Sequence, residues 1–347
     1  MSKTAVVILN WNGKRFLEKF LKEVVDNTTA PDTEVIVADN NSTDGSVDFL
    51  SHSFPALRVI KLDENYGYAG GYNRALSQIS ADYFILLNSD VSVGKNWTEP
   101  LTIFMDLNPL AGACQPKIRS FDRPEHFEYA GAAGGYVDRF GYPFCRGRIF
   151  NDTEEDMGQY DNPAEVFWAS GACMAVRASA FNSCGGFDDT FFAHMEEIDL
   201  CWRMQNAGYT IHYLPDPVVY HVGGGTLNYN SPFKIYLNFR NSLMMLAKNL
   251  PARRLRRTIF VRKVFDGIAA AAFLFNGGMP AVKAVFKAHR DFRRERSNII
   301  TRRNMTPPCE TYDPPHTMMD KSILFEYYFY KHKKYSEIKW HLHTETR

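Results

Sequence analysis

Residues 33–46 read TEVIVADNNSTDGS, an apolar run that stops abruptly at a group of polar residues. The β-branched residues in this run are typical of a buried strand, and Asp39 follows the run directly. Ser42, Thr43 or Asp44 suits the N-cap of the helix that the next residues predict. This stretch therefore predicts a strand, a turn and a helix start, with a carboxylate at the C-terminal end of the strand.

The same alternation of strand and helix patterns extends through the first half of the chain. The other strand-like runs are AVVILN (5–10), LRVIKL (57–62) and YFILLN (83–88), and helix-like patterns such as KRFLEKFLKEVVDNT (14–28) separate them. Units of this kind form a mainly parallel sheet that is covered by helices on both faces.

The regular strand and helix patterns stop near residue 109 and resume near residue 166. Residues 109–165 are rich in Gly, Pro and aromatic residues and predict an irregular section with short strands. Residues 166–220 predict strands around helices near 178–184 and 196–208, and beyond about residue 230 the pattern becomes helical and amphipathic. The sequence therefore predicts an α/β domain followed by a helical region.

Polar side chains stand where three of the predicted strands end, namely Asn10, Asp39, and Asn88 together with Asp90. The carboxyl ends of parallel strands share one edge of the sheet, where open α/β sheets bind ligands. Carboxylates repel phosphate unless a cation lies between them, so these groups suit a metal-chelated diphosphate better than a bare anion. The pattern favours an enzyme that handles a nucleotide-sugar.

Asp39 is the residue that we expect to recognise the nucleoside. A carboxylate directly after a strand can accept a hydrogen bond from a pyrimidine N3–H or from a ribose hydroxyl. The alternative is that Asp39 and Asn40 only start the turn that follows. The two interpretations are compatible, because Ser42 or Thr43 can cap the next helix while Asp39 binds.

The glycine-rich turn NYGYAGGYN (65–73) leaves room for a ligand to approach the backbone. A tight connection without a ligand is the more common explanation for such a turn. Asn65, Asn73 and Arg74, however, add polar groups that a turn serving only packing does not need.

Asp90 is the predicted ligand of a divalent cation that bridges two phosphates. A single aspartate needs further ligands, and His221 in VVYHVGGGT (218–226) is the candidate. A lone histidine is more often a structural residue than a metal ligand. Neutral histidine suits Mn²⁺ better than Mg²⁺, and both ions remain candidates.

Paired acids open the predicted helix in FFAHMEEIDLCWR (191–203). At helical spacing Glu196 and Asp199 share a face with Arg203, whereas Glu197 points elsewhere. Arg203 can therefore hold one acid while its neighbour faces the cleft as a general base. Acids at a helix start often only complement the helix dipole, but the apolar residues around this pair argue against a solvated face.

Composition excludes little but is consistent with a cytoplasmic enzyme. The net charge of +1 gives no overall field for nucleic acid, although residues 252–303 are dense in Arg and Lys. The six cysteines are scattered without zinc spacing and are interpreted as reduced thiols. The first apolar run holds only five residues, which is too short for the core of a signal peptide.

Residues 264–282, VFDGIAAAAFLFNGGMPAV, are the best candidate for a membrane contact. Asp266, Asn276, three glycines and Pro280 interrupt the segment, so it falls short of the roughly 20 apolar residues that span a bilayer. Its basic flanks favour a helix lying on an anionic membrane surface. A helix packed on the protein's own core explains the segment equally well.

The ordered set of motifs resembles that of the inverting family 2 glycosyltransferases, particularly the rhamnosyltransferase-like branch. The resemblance covers about residues 4–250, and the combination of motifs is specific although each motif alone is not. The matching segments are NWNG (10–13), DNNSTDGS (39–46), NYGYAGGYN (65–73), LNSDV (87–91), GACMAVR (171–177), GGFDDTFF (185–192), EEIDLCWR (196–203) and HVGGGT (221–226).

This resemblance implies roles for individual residues. Asp39 would contact the nucleobase and Asp90 the metal, with His221 as its second ligand. The further predicted contacts of the nucleotide-sugar are Asn10, Asn65, Gly67, Asn73 and Asn88.

The resemblance also implies that Glu197 is the general base, because it stands where the family has the Asp of an E-D pair. Glutamate is one methylene longer, so either Glu197 acts from a shifted helix or Glu196 takes the role. We favour Glu197, with Glu196 and Asp199 in support. Thr226 stands where the family has Ser and keeps a hydroxyl group.

The predicted fold is an α/β, GT-A-type nucleotide-binding domain with a mostly parallel central sheet over residues 1–230, followed by a helical C-terminal region over residues 231–347. In that region Arg240 and Asn241 are interpreted as ordinary helix contacts, with closure over the diphosphate as the alternative.

The predicted reaction is metal-dependent, inverting transfer of a sugar from a nucleoside-diphosphate sugar to an acceptor hydroxyl. A dTDP- or UDP-sugar is the favoured donor, Mg²⁺ or Mn²⁺ the cofactor, and a glycan or lipid-linked molecule the acceptor. We expect a role in cell-surface polysaccharide or glycolipid synthesis, in the cytoplasm or at the inner face of the membrane, and no nucleic-acid partner.

Two other functions compete with this one. The first is a nucleotide-sugar-binding module whose catalysis is impaired, which the glutamate at position 197 suggests. The second is a sugar-phosphate nucleotidyltransferase. Such an enzyme would show a glycine-rich basic loop near its N-terminus, and NWNGKRF (10–16) is a poor match to one.

Overall fold

The computed structural model describes residues 3–223, 231–276, 278–305 and 314–340. Its strands are β1 (Thr4–Asn10), β2 (Thr33–Asp39), β3 (Arg58–Lys61), β4 (Tyr83–Asn88), β5 (Val91–Val93), β6 (Ala111–Ser120), β7 (Gly135–Asp138), β8 (Pro143–Cys145), β9 (Arg148–Ile149), β10 (Asp152–Thr153), β11 (Ala164–Glu165), β12 (Cys173–Arg177), β13 (Thr210–His221) and β14 (Met318–Met319). Its α-helices are α1 (Lys14–Asn27), α2 (Ser46–Ser53), α3 (Gly67–Leu76), α4 (Glu99–Leu107), α5 (Ala178–Ser183), α6 (Glu196–Asn206), α7 (Pro232–Asn249), α8 (Ala252–Asn276), α9 (Gly278–Arg294) and α10 (Arg296–Met305).

Within these ranges nine strands form the central sheet, in the order β11–β13–β6–β12–β4–β1–β2–β3, with β5 paired to β13. Strand β1 lies parallel to β2 and β4, and β2 lies parallel to β3. Because β12 is antiparallel to both β4 and β6, strand β6 runs in the direction of β4, and β13 is parallel to β6. The mostly parallel sheet predicted from the sequence is therefore confirmed.

Alternate residues of each buried strand pack on opposite faces of this sheet, as the two-residue period of a strand requires. Val7 packs with Tyr72 of α3 on one face. Val6 packs with Leu17 and Leu21 of α1 on the other face. Helices cover both faces, which explains why the first strands are apolar runs and do not alternate with polar residues.

Strand β6 is the main departure from the sequence prediction. Residues 109–165 do contain the short strands β7–β10, which join β14 in a second sheet of order β10–β9–β8–β7–β14. Ala111–Ser120, however, is a ten-residue strand inside the central sheet. Its small residues and Pro116 weaken a strand pattern, and its pairing with β12 is confined to Ala113 and Cys114, before that proline.

The helical C-terminal region is confirmed, and its first helix packs against the α/β part of the chain. Ser231 caps α7 by accepting a hydrogen bond from the backbone N–H of Lys234 at 3.2 Å. Leu243 and Leu246 of α7 lie in the same buried cluster as Val7 and Tyr72. The division of the chain at residue 230 remains a prediction, and Thr226 lies outside the described residues.

Helix α8 has an unusual polarity, because it buries two charged residues on its packed face and exposes apolar residues on its outer face. On the packed face Arg262 donates to Oγ of Ser242 at 2.8 Å, and Asp266 pairs with Nε2 of His289 at 2.9 Å. On the outer face Phe260 and Ile268 are 68% and 62% exposed. The helix therefore packs on the protein and still presents an apolar stripe. Among the described residues, no helix is both long and apolar enough to span a membrane.

Candidate active site

Asn10 and Asp39 lie side by side at the edge of the sheet, because they are partners in the register of β1 and β2. Nδ2 of Asn10 donates to Oδ1 of Asp39 at 3.0 Å, and the backbone N–H of Ser42 donates to Oδ2 at 2.9 Å. Nδ2 of Asn10 also donates to Oγ of Ser42 at 3.1 Å. Asp39 thus starts the turn and is also a carboxylate held in place at the sheet edge.

Asn65 and Gly67 shape the next turn. Nδ2 of Asn40 donates to Oδ1 of Asn65 at 3.0 Å and to the carbonyl of Gly67 at 2.9 Å. Gly67 has a φ of +68°, and a Cβ atom there would lie 2.5 Å from the carbonyl oxygen of Phe192. Only glycine fits such a position. This turn is therefore packed tightly against the loop that precedes α6.

Asn73, another predicted contact of the nucleotide-sugar, is engaged by a different part of the chain. Its Nδ2 donates to the carbonyl of Phe187 at 2.8 Å and to Oδ1 of Asp189 at 2.6 Å. Its Oδ1 accepts the backbone N–H of Phe187 at 2.9 Å. Both ends of the amide hold the segment that leads to α6, and a contact between Asn73 and a ligand stays a prediction.

Asp90 and His221 form a buried pair near the end of β4. Nε2 of His221 lies 3.1 Å from Oδ1 of Asp90 and 3.3 Å from Nδ2 of Asn88. The antiparallel pairing of β13 with β5 causes this proximity, because it sets His221 opposite Val91. The two residues that the sequence predicts as ligands of one cation therefore lie within hydrogen-bonding distance of each other.

A further acid, Glu128, lies against the same histidine and was not predicted from the sequence. Its Oε2 is 3.2 Å from Nδ1 of His221 and accepts the backbone N–H of Ala130 at 2.5 Å. The contact with Nδ1 is an ion pair whose alignment falls short of a full hydrogen bond. The sequence offered one signal for Glu128, namely its position between the aromatic residues Phe127 and Tyr129. An acid among aromatic residues can be buried with them, and buried acids usually have a partner.

These two carboxylates control the charge of the histidine. Burial lowers the pKa of His221, but Glu128 and Asp90 outweigh burial and raise the pKa to about 10. Burial also raises the pKa of Asp90, but His221 outweighs that effect and holds the pKa below its ordinary value. The arrangement therefore favours a positive charge between the acids.

Among the described residues, the protein side chains alone do not complete the ligand set of a metal ion. The part of the chain that the structure describes contains no group of three or more His, Cys, Asp or Glu side chains that could hold a metal ion. Asp90 and His221 fit a divalent cation as one oxygen and one nitrogen ligand, provided that substrate oxygens or water complete its coordination.

Glu196 and Glu197 open α6, where Glu196 is buried and Glu197 is half-buried. In each side chain Oε2 has no hydrogen-bond partner among the described residues. Burial raises the pKa of Glu197 to about 7. Burial and the charge of Glu197 raise the pKa of Glu196 well above its ordinary value. A carboxyl group with a pKa near 7 suits a general base at neutral pH.

Asp199 lies on another face of α6 and is fully buried among cations. Its Oδ2 accepts hydrogen bonds from Nε of Arg203 and Nζ of Lys248, each at 2.8 Å. Its Oδ1 accepts from Nδ2 of Asn249 at 2.8 Å. The predicted pairing of Asp199 with Arg203 is confirmed, and these contacts make Asp199 an anchor of α6 in the core.

The loop before α6 contains residues with backbone angles that are unusual outside glycine. Phe192, His194 and Met195 have φ values of 64°, 69° and 74°. Left-handed backbone costs roughly 1–2 kcal/mol for an L-residue, so the surrounding structure must hold this loop in place.

Helix α7 supplies that support. Nδ2 of Asn241 donates to the carbonyls of Phe191, Ala193 and His194 at 2.8–2.9 Å. Arg240 donates to the carbonyl of Phe191 at 3.2 Å. Both residues therefore contact the loop that carries the acids, in agreement with their interpretation as helix contacts.

The sheet edge and the acidic helix are brought together through residues 171–172. The backbone N–H of Asn88 donates to the carbonyl of Ala172 at 3.0 Å. Oη of Tyr68 donates to the carbonyl of Gly171 at 2.8 Å. Burial and the negative charges of Glu196 and Glu197 raise the pKa of Tyr68 well above its ordinary value. Tyr68 therefore lies between the sheet edge and the acidic start of α6.

Cys145 links the acidic helix to the Glu128–His221 contact. Burial raises the pKa of this thiol, Arg148 lowers it, and the charges of Glu128 and Glu197 raise it again. Glu197 and Glu128, which contacts His221, therefore both lie near Cys145.

A separate surface cavity of about 550 Å³ lies beside the C-terminal segment and is lined by Arg139, Lys321, Phe325, Tyr330 and Lys339 among others. None of the site residues predicted from the sequence lines this cavity. It is therefore distinct from the region around Asp90 and Glu197.

Comparison with known proteins agrees with this arrangement. Residues 5–185, just over half of the 347-residue chain, match the family model described as Glycosyl transferase family 2. The N-acetylglucosaminyl-diphospho-decaprenol L-rhamnosyltransferase of Mycobacterium tuberculosis is 30% identical over 230 residues, which cover 62% of this chain and 75% of the relative. Rhamnosyltransferase WbbL of Escherichia coli is 26% identical over 207 residues, which cover 57% of this chain and 76% of the relative.

Among solved structures, GalNAc-T7 with UDP, GalNAc and Mn²⁺ aligns with a TM-score of 0.57 at 14% identity, over 89% of this chain and 59% of that chain. A likeness at this level of identity concerns the fold alone, and the fold is of the GT-A type. The family match covers Asn10, Asp39 and Asp90. The chain belongs to Glycosyl transferase family 2 and is a glycosyltransferase.

Proposed function

We propose that this glycosyltransferase moves a sugar from a nucleoside-diphosphate sugar to an acceptor hydroxyl, with inversion at the anomeric carbon and with a divalent cation bound. The observation that carries the proposal is the carboxyl group of Glu197. Its Oε2 has no partner among the described residues, its pKa is raised to about 7 by burial, and it lies in the same region as the buried Asp90–His221 pair.

The donor is proposed to bind along the ends of β1, β2 and β4. Asp39, which is fixed by Asn10 and Ser42, accepts a hydrogen bond from the base or ribose of a uridine or thymidine diphosphate. The tight turn at Asn65 and Gly67 lies next in the chain, and its close packing of Gly67 against Phe192 fixes the backbone beside the proposed donor site. Asn88 lies beside His221 and faces the diphosphate in this arrangement.

Asp90 and His221 are proposed to hold Mn²⁺ or Mg²⁺, with diphosphate oxygens and water as the other ligands. When bound, the ion supplies positive charge that stabilises the leaving diphosphate. Asn88 lies next to the pair, with its Nδ2 3.3 Å from Nε2 of His221. The mixed oxygen and nitrogen ligands favour Mn²⁺ of the two ions.

Glu197 is proposed to remove the proton of the acceptor hydroxyl as its oxygen attacks the anomeric carbon. The new carbon–oxygen bond forms on one face of the sugar while the bond to the diphosphate breaks on the opposite face, which inverts the configuration. The proton passes to the free oxygen of Glu197. Repulsion between the carboxylates of Glu196 and Glu197 raises the basicity of these two groups. Asp199 fixes α6 through its contacts with Arg203 and Lys248.

The acceptor is proposed to be a lipid-linked sugar or glycan at the cytoplasmic face of a membrane, in the synthesis of a cell-surface polysaccharide. The name of the M. tuberculosis relative specifies a diphospho-decaprenol acceptor, which is a lipid-linked sugar. The apolar stripe of α8 supports the same idea, because Phe260 and Ile268 are exposed on a helix that also carries several arginines.

Release of free nucleoside diphosphate tests this function. We expect release from a UDP- or dTDP-sugar that requires both a lipid-linked or glycan acceptor and Mn²⁺ or Mg²⁺. Binding of a donor without release, across a panel of acceptors and both metals, would instead support the catalytically impaired binding module. Asp90→Ala should abolish the metal dependence of donor binding while leaving thermal unfolding near that of the wild type.

A further inference from the structure

We infer that Glu128 is a positioning residue that orients His221 and fixes its tautomer for metal binding. This inference rests on the proposed function, because it assumes that Nε2 of His221 is a ligand of the cation. Glu128 lies outside every motif of the family resemblance. The structure alone associates it with the site.

The contacts of His221 assign different tasks to its two ring nitrogens. Nε2 faces Oδ1 of Asp90 at 3.1 Å, and Nδ1 faces Oε2 of Glu128 at 3.2 Å. The two nitrogens point to different sides of the imidazole, so Glu128 lies on the side away from Asp90. Electrostatic attraction to Glu128 favours a proton on Nδ1, which leaves the lone pair of Nε2 free for the metal.

Glu128 is itself held firmly. Its side chain is 4% exposed and accepts the backbone N–H of Ala130. Arg148 and Lys234 both interact electrostatically with it. A rigid acceptor on the far side of a metal-binding histidine orients the imidazole and restricts its rotation.

Uptake of Mn²⁺ by the full-length protein, in the presence of uridine diphosphate, tests this inference without requiring activity. The loss of the free-ion signal in electron paramagnetic resonance measures the affinity. We expect Glu128→Ala to weaken Mn²⁺ binding by about 10–100-fold, the usual effect of losing such a partner. Glu128→Gln should lose less Mn²⁺ affinity than Glu128→Ala, since its amide oxygen can still face the Nδ1 proton. In both variants, turnover at saturating Mn²⁺ should fall much less than Mn²⁺ affinity.

Glu154→Gln is the matched control. Glu154 is also a buried acid, but it accepts hydrogen bonds from Oη of Tyr160 at 3.1 Å and from the backbone N–H of Tyr335 at 3.0 Å. Its replacement can lower stability but should leave Mn²⁺ affinity unchanged. Thermal unfolding of each variant separates a loss of fold from a loss of the site.

The outcomes distinguish this inference from the function on which it rests. If wild type and Glu154→Gln bind Mn²⁺ and Glu128→Ala binds it equally tightly, the positioning role is wrong and the proposed metal site stands. If the wild type takes up no Mn²⁺ with uridine diphosphate or with thymidine diphosphate, the metal site and the positioning role both fail.

Discussion

Asp39 is 2% exposed, and hydrogen bonds from Asn10 and Ser42 already engage both of its carboxylate oxygens. Each oxygen has a second lone pair, so the residue can still accept a hydrogen bond from a nucleoside. The carboxylate is fixed by its neighbours, so little order would be lost if it bound a nucleoside as proposed.

Replacing Asp39 with Ala should weaken binding of uridine or thymidine diphosphate by about 1–3 kcal/mol, because a ligand donor loses a charged acceptor. Calorimetry with the free nucleotide measures the effect. Asp26→Ala on the exposed side of α1 is the matched control and should bind as the wild type does. Equal affinities of Asp39→Ala and wild type would remove Asp39 from the nucleotide site.

Site residues could be predicted where a pattern in the sequence fixes the position of a side chain. Asn10, Asp39 and Asp90 were predicted because each follows a strand-like run, and the structure places these residues at one edge of the sheet. Helical spacing gave the pairing of Asp199 with Arg203. Glu128 could not be found in this way, because its contact with His221 joins two parts of the chain that are far apart in sequence.

At the scale of elements, the acidic start of α6 depends on α7. In the loop before α6, Phe192, His194 and Met195 have positive φ angles. Asn241 alone donates hydrogen bonds to three backbone carbonyls of that loop. The sequence predicts both helices, but spacing along one helix cannot show which carbonyls of another segment it will meet. Strand β6 escaped prediction for a related reason, since its place in the sheet is set by long-range pairing with β13.

Asn241→Ala should destabilise the protein by about 1–3 kcal/mol, because buried carbonyls lose their donor. It should also lower turnover more than donor affinity, since the loop carries Glu196 and Glu197. Chemical denaturation and steady-state kinetics measure the two effects. Asn108→Ala, which removes one exposed hydrogen bond to Phe104, should change neither by much. Unchanged turnover in Asn241→Ala would show that α7 does not position the acids.

At the scale of the whole molecule, α8 reconciles two interpretations that the sequence leaves open. Its charged residues Arg262 and Asp266 face the protein, and its apolar residues Phe260 and Ile268 face outward. The sequence leaves both arrangements open, because it does not show which side chains of the helix meet the rest of the protein. The helix can pack on the catalytic part of the protein and still contact a bilayer.

The wild type should float with phosphatidylglycerol vesicles at low salt, and added salt should weaken binding because the arginines on α8 contribute electrostatic attraction. Replacing Phe260 and Ile268 with Ser should abolish flotation. The matched control replaces Ile103 and Leu107, which are 56% and 76% exposed on α4, and should float normally. A wild type that stays in solution at low salt would contradict a membrane role for this stripe.

The most direct test of the whole account compares the turnover of Glu197→Gln with that of Glu196→Gln, while donor and Mn²⁺ affinities are measured on the same samples. The account predicts that Glu197→Gln loses about 10²–10⁴-fold in turnover, the usual effect of removing a general base, and still binds donor and metal. Glu197→Asp should retain substantial activity, because it keeps the carboxylate. Near wild-type turnover in Glu197→Gln, or an inactive Glu196→Gln beside an active Glu197→Gln, would contradict the account.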